Sequence, residues 1–459
     1  MRKIDIYILL LMLVINSSAI AQYSILYNFY STDINCHPSG SLTLSNNVFY
    51  GITADGTKAK SIFKINTDGT GYTDIYKFHD TLRLGMTPLG LTVSGNIIYG
   101  IAETGGPDSA GLIYKVNTDG TGYKDLFYFN NHFDTIGRMP ISTLILLNNS
   151  LYGTAENGGI NGRGTLFKID TDGTGYRVIY DFLNGAFPLD LNISGNVLYG
   201  MTTGGGTKGN GCIYKVNPDG TGFNIIHSFT ENTPWPIGRL TISDSVVYGG
   251  LWMGGTMRDG SIFKIKNDGS GYTTLVAFND TNGLYCLGSP VLINNVLYGM
   301  TYSGDTVPRF DGIIFDINTD GSNYTDIVDF RPNNCGPPSG QLIFADSTLY
   351  GMVSSGGLHG NGVIFKYKPT IITKISESFL NNDSNISFYP NPAKDKISIK
   401  NLDEIKTNTI EIFDISGQVV LIQTIQKDNS VDVSNLVPGV YILKVSNASG
   451  VFVRKLIKE

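Results

Sequence analysis

A tandem repeat of about fifty residues, cut out of phase at its two ends, constrains this chain more than any other feature. A Tyr-Gly step recurs seven times, and an apolar segment of the type SIFKIN follows each one. An aromatic segment of the type YTDIYKF follows only the first six, whereas a seventh, YSILYNF, stands at 23–29, ahead of the first repeat. A chain that begins with the piece its last repeat lacks is expected to close into a ring. The repeated tyrosines are Tyr50, Tyr99, Tyr152, Tyr199, Tyr248, Tyr298 and Tyr350.

Each repeat divides into four short apolar segments separated by turn residues, a pattern typical of β-strands. In the first repeat these are 40–45, 48–53, 61–66 and 72–78. Asp-Gly joins the third and fourth segments in the first six repeats and favours a tight antiparallel hairpin. Calcium binding by the sequence NTDGTG is the alternative, but the loop lacks the further spaced carboxylates of a calcium site.

Proline and glycine recur at fixed places in the repeat. A Pro is expected to precede the first strand of every repeat, as suits a strand at a sheet edge, and the Gly of Tyr-Gly is expected to permit close approach by a neighbouring sheet. The pattern predicts an all-β chain with a seven-bladed β-propeller over 22–368, closed by the N-terminal strand. A β-solenoid is the alternative, but it needs distinct end caps. The prolines are Pro38, Pro88, Pro140, Pro188, Pro236, Pro290 and Pro338.

Residues 1–21 have the pattern of an export signal. Arg2 and Lys3 precede an apolar run at 6–15, and a small-residue site ends at Ala21, after which we expect cleavage. A membrane anchor is the alternative, but the run is shorter than the roughly 20 residues that span a bilayer. No other stretch approaches that length, so no transmembrane segment is expected in the mature chain.

Composition narrows the function classes. The 56 glycines, with 41% hydrophobic and 16% charged residues, are typical of a Gly-punctuated all-β protein. A net charge of −6 argues against nucleic-acid binding, which needs a basic surface. The histidines show no short metal-ligand spacing, so neither a metal nor another cofactor is expected.

A different kind of sequence follows the repeats. Polar residues 369–385 are expected to form a linker, and 386–459 alternate in a way that predicts a small Ig-like β-sandwich. Its motif residues are Pro390, Asn391 and Pro392 after Tyr389, Gly417 in the turn that follows Phe413, Gly439 and Tyr441, and Lys455 in a basic tail. This set resembles the type A C-terminal sorting domain of the type IX secretion system of Bacteroidetes.

That resemblance implies a route and a partner. Export across the inner membrane by the signal would be followed by passage through the outer membrane, directed by this domain and the type IX machinery. In that family the domain is usually removed, and the cargo is released or attached to the cell surface. An ordinary Ig-like accessory domain is the alternative.

The repeats themselves resemble the GloVer tandem repeats. Residues 151–182 meet that pattern with a Leu-Tyr-Gly-Thr step, a Gly-rich loop, a Phe-Lys segment and a final aromatic strand. The resemblance covers about 23–368, and the usual Gly-Gly is incomplete at Asp55-Gly56 and Gly304-Asp305. It implies a structural role for the framework residues and no established activity.

In a propeller, the loops before the first strand and between the second and third strands share one face. These loops vary between repeats, so that face is the expected binding face. The fourth residue after each repeated Tyr lies there, and Trp252 and Tyr302 fall on adjacent repeats with Trp235 nearby. Together they predict a stacking platform for a sugar or peptide. Aromatic packing between blades is the alternative.

Two carboxylates occupy the same position in neighbouring repeats, Glu103 and Glu156, and a carboxylate pair is what glycoside hydrolysis requires. They are the catalytic candidates for the acid and base of such a reaction. Cys36 and Cys335 occupy equivalent loops of the first and last repeats and would meet in a closed ring, as a candidate disulfide. Cys286 is a rival partner for Cys335.

The sequence favours an exported, surface or secreted propeller that binds a glycan or an extracellular protein without catalysis. A secreted polysaccharide hydrolase or lyase and a purely structural surface protein are the alternatives. A repeat framework without an identifiable catalytic constellation favours binding over catalysis.

Overall fold

The computed structural model describes 22–30, 37–54, 59–78, 88–131, 135–183, 186–230, 235–255, 257–304, 311–331, 335–369, 387–400, 408–413, 419–425, 429–447 and 450–459. The predicted signal and residues 370–385 of the predicted linker lie outside these ranges. The chain forms two compact units, Met1–Pro369 and Thr370–Glu459. All regular elements within the described ranges are β-strands, and no helix there is long and apolar enough to cross a membrane.

The first unit contains seven antiparallel sheets in the described residues. The first strand of the chain, β1 (Gln22–Asn28), belongs to the last of these sheets. The first three sheets comprise β2 (His37–Ser45), β3 (Val48–Ala54), β4 (Ala59–Asn66) and β5 (Thr73–Lys77); β6 (Pro88–Ser94), β7 (Ile97–Ala102), β8 (Leu112–Asn117) and β9 (Lys124–Tyr128); and β10 (Arg138–Pro140), β11 (Ile145–Leu147), β12 (Ser150–Asn157), β13 (Thr165–Asp170) and β14 (Arg177–Asp181).

The remaining four sheets repeat the pattern. They comprise β15 (Pro188–Ser194), β16 (Val197–Thr202), β17 (Cys212–Val216) and β18 (Asn224–Ser228); β19 (Pro236–Ser243), β20 (Val246–Leu251), β21 (Ser261–Lys266) and β22 (Thr273–Ala277); β23 (Leu284–Ile293), β24 (Val296–Ser303), β25 (Ile313–Asn318) and β26 (Thr325–Asp329); and β27 (Pro338–Ala345), β28 (Thr348–Val353) and β29 (Val363–Lys368).

Strands follow chain order within each sheet, except in the last, whose order is β1-β29-β28-β27. There β1 pairs antiparallel with β29, from Gln22 opposite Lys368 to Asn28 opposite Val363. First strands of neighbouring sheets contact one another, as β2 does β6 and as β15, β19, β23 and β27 do in turn, and β27 contacts β2. The Gln341 backbone N–H donates to the Ser41 hydroxyl at 2.9 Å across this seam. The last sheet is therefore completed by the beginning of the chain.

The Gly of the Tyr-Gly step is required for a reason other than the one expected. A Cβ on Gly51 would lie 2.4 Å from the Phe63 ring, and one on Gly100 would lie 2.1 Å from the Tyr114 ring. In both cases the aromatic residue is the cross-strand partner in the same sheet, not a residue of a neighbouring sheet. Gly therefore makes room for the buried ring of the third strand.

The expected proline of the sixth repeat is misplaced. Pro236 starts its strand opposite Leu251, and five further prolines hold the same register. In the sixth sheet that register belongs to Cys286, opposite Thr301, while Pro290 lies inside β23. The first strand of this sheet begins at Leu284, two residues before the register position that proline holds in the other sheets. Cys286 occupies that position.

Neighbouring sheets are joined by a repeated aromatic contact between a ring of one outer strand and a ring directly before the outer strand of the next sheet. Ring centroids lie 3.8 to 4.5 Å apart, with planes within 12° of parallel. Stacked rings of this kind bury apolar area between the sheets. The pairs are Tyr27 with Tyr72, Tyr76 with Tyr123, Phe127 with Tyr176, Tyr180 with Phe223 and His227 with Tyr272.

A lysine of the third strand also joins neighbouring sheets, because its ammonium donates to a carbonyl of the next Asp-Gly turn at 2.8 to 3.4 Å. The pairs are Lys64 with Thr118, Lys115 with Thr171, Lys215 with Asn267 and Lys264 with Thr319. Asp316 stands at this position in the sixth sheet. Burial raises the pKa of its carboxyl to about 6, although a hydrogen bond with Thr325 opposes the rise.

The second unit has two antiparallel sheets in its described residues, ordered β30-β31-β34 and β33-β32-β35-β36. They share one core, in which Ile397, Ile412, Tyr441 and Leu456 are buried. The strands are β30 (Ser387–Tyr389), β31 (Lys396–Lys400), β32 (Asn408–Phe413), β33 (Val419–Ile425), β34 (Ser430–Asp432), β35 (Gly439–Asn447) and β36 (Gly450–Lys458).

Deleting 22–28 should destabilise the first unit, because it exposes the edge of β29 and removes the ring that stacks on Tyr72. We expect the midpoint of thermal unfolding to fall by more than about 5 °C and soluble aggregates to appear in light scattering. Tyr30→Ala is the control, since that side chain is 67% exposed just beyond β1. An unchanged midpoint in the deletion variant would contradict the closure.

Asp316→Asn should stabilise the protein at pH 7. A carboxyl whose pKa is higher in the folded state binds more protons there, so its contribution is favourable below its unfolded pKa and is lost as pH rises through about 6. Because the Asp316 side chain is partly exposed, we expect the free energy of unfolding at pH 7 to rise by only roughly 1 kcal/mol in the variant. Between pH 4 and 6 the free energy of unfolding should depend less on pH than in the parent.

The control for Asp316 is Asp320→Asn in the following turn. Ser322 donates two hydrogen bonds to the Asp320 carboxylate, which lower its pKa, so removing that charge should lower stability at pH 7. Urea unfolding at several pH values measures both variants. Equal pH profiles for Asp316→Asn and the parent protein would refute the assignment.

Candidate functional site

Two sets of loops meet at the same end of every sheet, those that lead into the first strand and those that join the second strand to the third. We call this end the top face. The opposite end carries the Asp-Gly turns, whose carboxylates form hydrogen bonds within their own turn: Asp68, for example, accepts hydrogen bonds from the Thr70 N–H at 2.9 Å and the Thr70 hydroxyl at 2.7 Å. Because the bottom turns repeat and the top loops do not, the top face is the expected location of a binding site.

Bulky residues with left-handed backbone conformation line the top face of four successive sheets. Each directly precedes the position where the first-strand proline stands, and a positive φ is unusual for such residues. The Met139 N–H donates to the Ala110 carbonyl at 2.8 Å, and the Tyr285 N–H to the Asp259 carbonyl at 2.6 Å, so loops of the preceding sheet hold them. The four are Met139 (φ 52°), Phe187 (φ 43°), Trp235 (φ 67°) and Tyr285 (φ 60°).

The structure brings Trp252 and Tyr302 into contact. Their ring centroids lie 5.6 Å apart at 55°, and the Tyr285 ring stacks on Trp252 at 5.1 Å and 16°. Trp235 is 57% exposed, and its backbone carbonyl accepts a hydrogen bond from the Trp252 backbone N–H at 2.8 Å. We call Trp235, Trp252, Tyr285 and Tyr302 the aromatic cluster.

The repeated prolines do not point to Tyr285 in the sequence, because Pro290 marks a later start for its strand. With Cys286 in the proline register, Tyr285 is equivalent to Trp235. The signal that was available is the bulky residue directly before the prolines of three successive repeats, Met139, Phe187 and Trp235.

Glu103 and Glu156 lie on the top face of the second and third sheets, both half-buried. Burial raises the pKa of the Glu156 carboxyl, and the negative charge of Glu103 raises it further. The two carboxylates are therefore close enough to interact. A carboxyl with a raised pKa can donate a proton or a hydrogen bond.

Cys36 lies outside the described residues, so the disulfide between Cys36 and Cys335 stays a prediction. Cys335 is buried, and its sulfur lies 3.7 Å from the Tyr23 hydroxyl, on β1. Cys286 carries a free thiol that donates to the Gly288 carbonyl at 3.4 Å, and burial raises its pKa to about 12. The rival pairing of Cys286 with Cys335 is absent from the described structure.

The motif residues of the second unit lie around the end of the last strand. The Asn391 amide donates to the Lys455 carbonyl at 2.9 Å and accepts the Ile457 N–H at 2.8 Å. The peptide bonds before Pro390 and Pro392 are cis. Asn391 thus holds β36 as a neighbouring strand would, with Lys455 exposed to solvent.

The other motif residues lie on or near β35. Gly439 begins β35, and Tyr441 is buried and donates from its hydroxyl to the Val437 carbonyl at 2.8 Å. Gly417 is outside the described residues.

Comparison with protein families assigns both parts of the chain. The Gloeobacter/Verrucomicrobia repeat matches 15–193 and 189–309, which together exceed half of the chain. The chain belongs to this repeat family. The secretion system C-terminal sorting domain matches 387–459 of this repeat protein, and a type IX sorting domain implies export to the cell surface or the medium. No curated protein matches the chain in sequence.

Solved structures similar to this repeat protein share its fold at low identity. The extracellular domain of the one-component system BT4673 from B. thetaiotaomicron has a TM-score of 0.50 at 12% identity, covering 96% of this chain. This chain spans only 58% of that one. An oligogalacturonate lyase in complex with manganese has a TM-score of 0.51 at 11% identity, covering 76% of this chain and 93% of that one.

YCF48 from Cyanidioschyzon merolae has a TM-score of 0.50 at 9% identity, covering 76% of this chain and 99% of that one. At such identities the likenesses show the fold alone, a β-propeller.

Glu103→Gln should lower the pKa of Glu156, because it removes the neighbouring negative charge while burial remains. Carboxyl carbon shifts followed by NMR titration measure this pKa directly. Glu411→Gln, in the second unit beside Lys444, is the control. If the Glu156 titration is the same in Glu103→Gln and the parent, the two carboxylates do not interact.

Proposed function

We propose that this chain is an exported, type IX-delivered binding protein whose seven-bladed β-propeller holds a glycan or an extracellular protein on its top face without catalysis. The N-terminal signal, removed after Ala21, and an Ig-like sandwich as the sorting domain are parts of this proposal. Its finer architecture is supported by seven sheets in order and by the pairing of β1 with β29.

One observation carries the binding function, the aromatic cluster on the top face. Trp252, stacked on Tyr285 and in contact with Tyr302, presents flat rings with polar edges next to the exposed Trp235. Such rings match the apolar faces of sugars, and their N–H and hydroxyl groups match sugar hydroxyls. Sugar stacking therefore favours a glycan as the ligand.

The left-handed residues support the same location. Strain at a non-glycine residue persists only where the surrounding structure holds it, and such residues cluster at binding sites. Trp235 and Tyr285 are two of the four, so half of these strained positions belong to the aromatic cluster.

A second candidate function is cleavage of a polysaccharide, by a hydrolase or a lyase reaction, with Glu103 and Glu156 as the catalytic groups. The observation that favours it is the raised pKa of Glu156 beside a second carboxylate, as an acid and base pair requires. The oligogalacturonate lyase adds only its fold to this argument. A purely structural surface protein is the remaining alternative.

Trp252→Ala and Tyr285→Ala should each weaken glycan binding about tenfold, which corresponds to about 1.4 kcal/mol of lost stacking and area burial. A glycan array identifies the ligand, and calorimetry then measures the variants. Tyr128→Ala, an exposed aromatic on β9 outside the cluster, is the control.

Two results would overturn parts of the proposal. Equal glycan binding by Trp252→Ala, Tyr285→Ala and the parent would remove the aromatic cluster as the site. Turnover of a polysaccharide by the parent, abolished in Glu156→Gln, would replace binding with catalysis.

A further inference from the structure

A cavity of about 560 Å³ lies between the first strands of the sheets, at the centre of the first unit. Its volume falls within the range of small-molecule sites. Residues of β2, β6, β15, β19 and β27 line it, together with 143–145 of the third sheet. This cavity is separate from the aromatic cluster, none of whose residues lines it.

Each of the seven sheets has one equivalent residue at the level of the cavity. It stands directly before a buried leucine or, in the sixth sheet, before Pro290. Five of the seven are small or uncharged. The two charged residues, Asp190 and Arg239, lie on adjacent sheets and form an ion pair of 2.8 Å between Arg239 Nε and Asp190 Oδ2. The seven are Ser41, Gly90, Thr143, Asp190, Arg239, Ser289 and Gln341.

The scaffold does not require this ion pair. The other sheets meet at the same level without a charge, through contacts such as the Gln341 N–H to the Ser41 hydroxyl. Removing two charges from water costs free energy that their attraction repays only in part. The position of the pair in a cavity therefore points to a role beyond holding neighbouring sheets together.

Asp190 is fully engaged by the protein. Its Oδ1 accepts the Thr143 N–H at 2.9 Å and the Leu191 N–H at 3.0 Å, while Oδ2 accepts Arg239 Nε. A carboxylate with three donors is held in one orientation and in turn holds the guanidinium.

Arg239 is mostly unused by the protein. Only Nε, one of five N–H donors, has an acceptor among the described residues, and Nη2 is buried without one. An unsatisfied donor of this kind costs about 1 to 3 kcal/mol, so an acceptor that reached the guanidinium, whose side chain is 29% exposed, would stabilise the site.

We infer that the central cavity binds a small oxyanion, a carboxylate or phosphate group, through the guanidinium of Arg239. The planar edge of a guanidinium matches both groups with two parallel hydrogen bonds. Asp190 is the positioning residue, which fixes the guanidinium without using its remaining donors. Because the pair is neutral overall, selectivity rests on hydrogen-bond geometry more than on net charge.

The test is calorimetry on the full chain with sodium glucuronate, acetate and inorganic phosphate, at constant ionic strength in chloride. Glucose is the uncharged counterpart of glucuronate. We expect at least one oxyanion to bind and glucose to fail, with the three oxyanions separating carboxylate from phosphate as the preferred group. Trp252→Ala should bind the oxyanion as the parent does.

Variants assign the binding to Arg239. Arg239→Gln should weaken oxyanion binding at least tenfold, and Arg239→Lys should weaken it less, because the ammonium keeps the charge but not the bidentate geometry. Since Arg239→Gln leaves Asp190 without its partner, the double variant Asp190→Asn/Arg239→Gln provides an uncharged pair. Asp190→Asn alone keeps the guanidinium and should retain binding within about tenfold.

The inference is overturned if the parent binds no oxyanion, or if the double variant binds it as tightly as the parent. Either result leaves the glycan array of the aromatic cluster unaffected. Loss of glycan binding in Trp252→Ala with intact oxyanion binding would instead show two independent sites.

Discussion

The antiparallel pairing of β1 with β29 is the contact on which the rest of the first unit depends. Each sheet covers only its two neighbours, so an unclosed row would leave two sheet faces and a strand edge exposed to water. Pairing of the first strand with the last sheet joins residues more than 300 apart in sequence, as between Tyr23 and Cys335. Closure brings β27 against β2 and encloses the central cavity.

Within that closed arrangement, the contacts at the bottom end of the sheets repeat, whereas the residues at the top end vary. At the bottom, lysines such as Lys264 reach the next turn, and carboxylates such as Asp68 stabilise their own turn. These contacts repeat because every sheet must meet its neighbour in the same way. At the top, the positions of Glu156 and Trp252 are equivalent yet chemically different, as is typical of variable loops on a repeated scaffold.

Part of this structure follows from the sequence, and particular residues show where that stops. The repeat identified the strands and placed Trp252 and Tyr302 on adjacent sheets. It misplaced the sixth first strand because Pro290 and Cys286 exchange roles only in the register of β23 with β24. Likewise the Gly of Tyr-Gly was recognisable, but its cause, the ring of Phe63 over Gly51, depends on cross-strand pairing.

The strand pattern, the repeat family and the sorting domain are readable from the amino-acid sequence, because they depend on local alternation, turn chemistry and linear motifs. The packing of the sheets is what establishes which side chains share a site. Stacking of Tyr285 on Trp252 and pairing of Asp190 with Arg239 join residues of different sheets, 33 and 49 positions apart in the chain. Such contacts depend on how the sheets pack, and no local pattern encodes that distance.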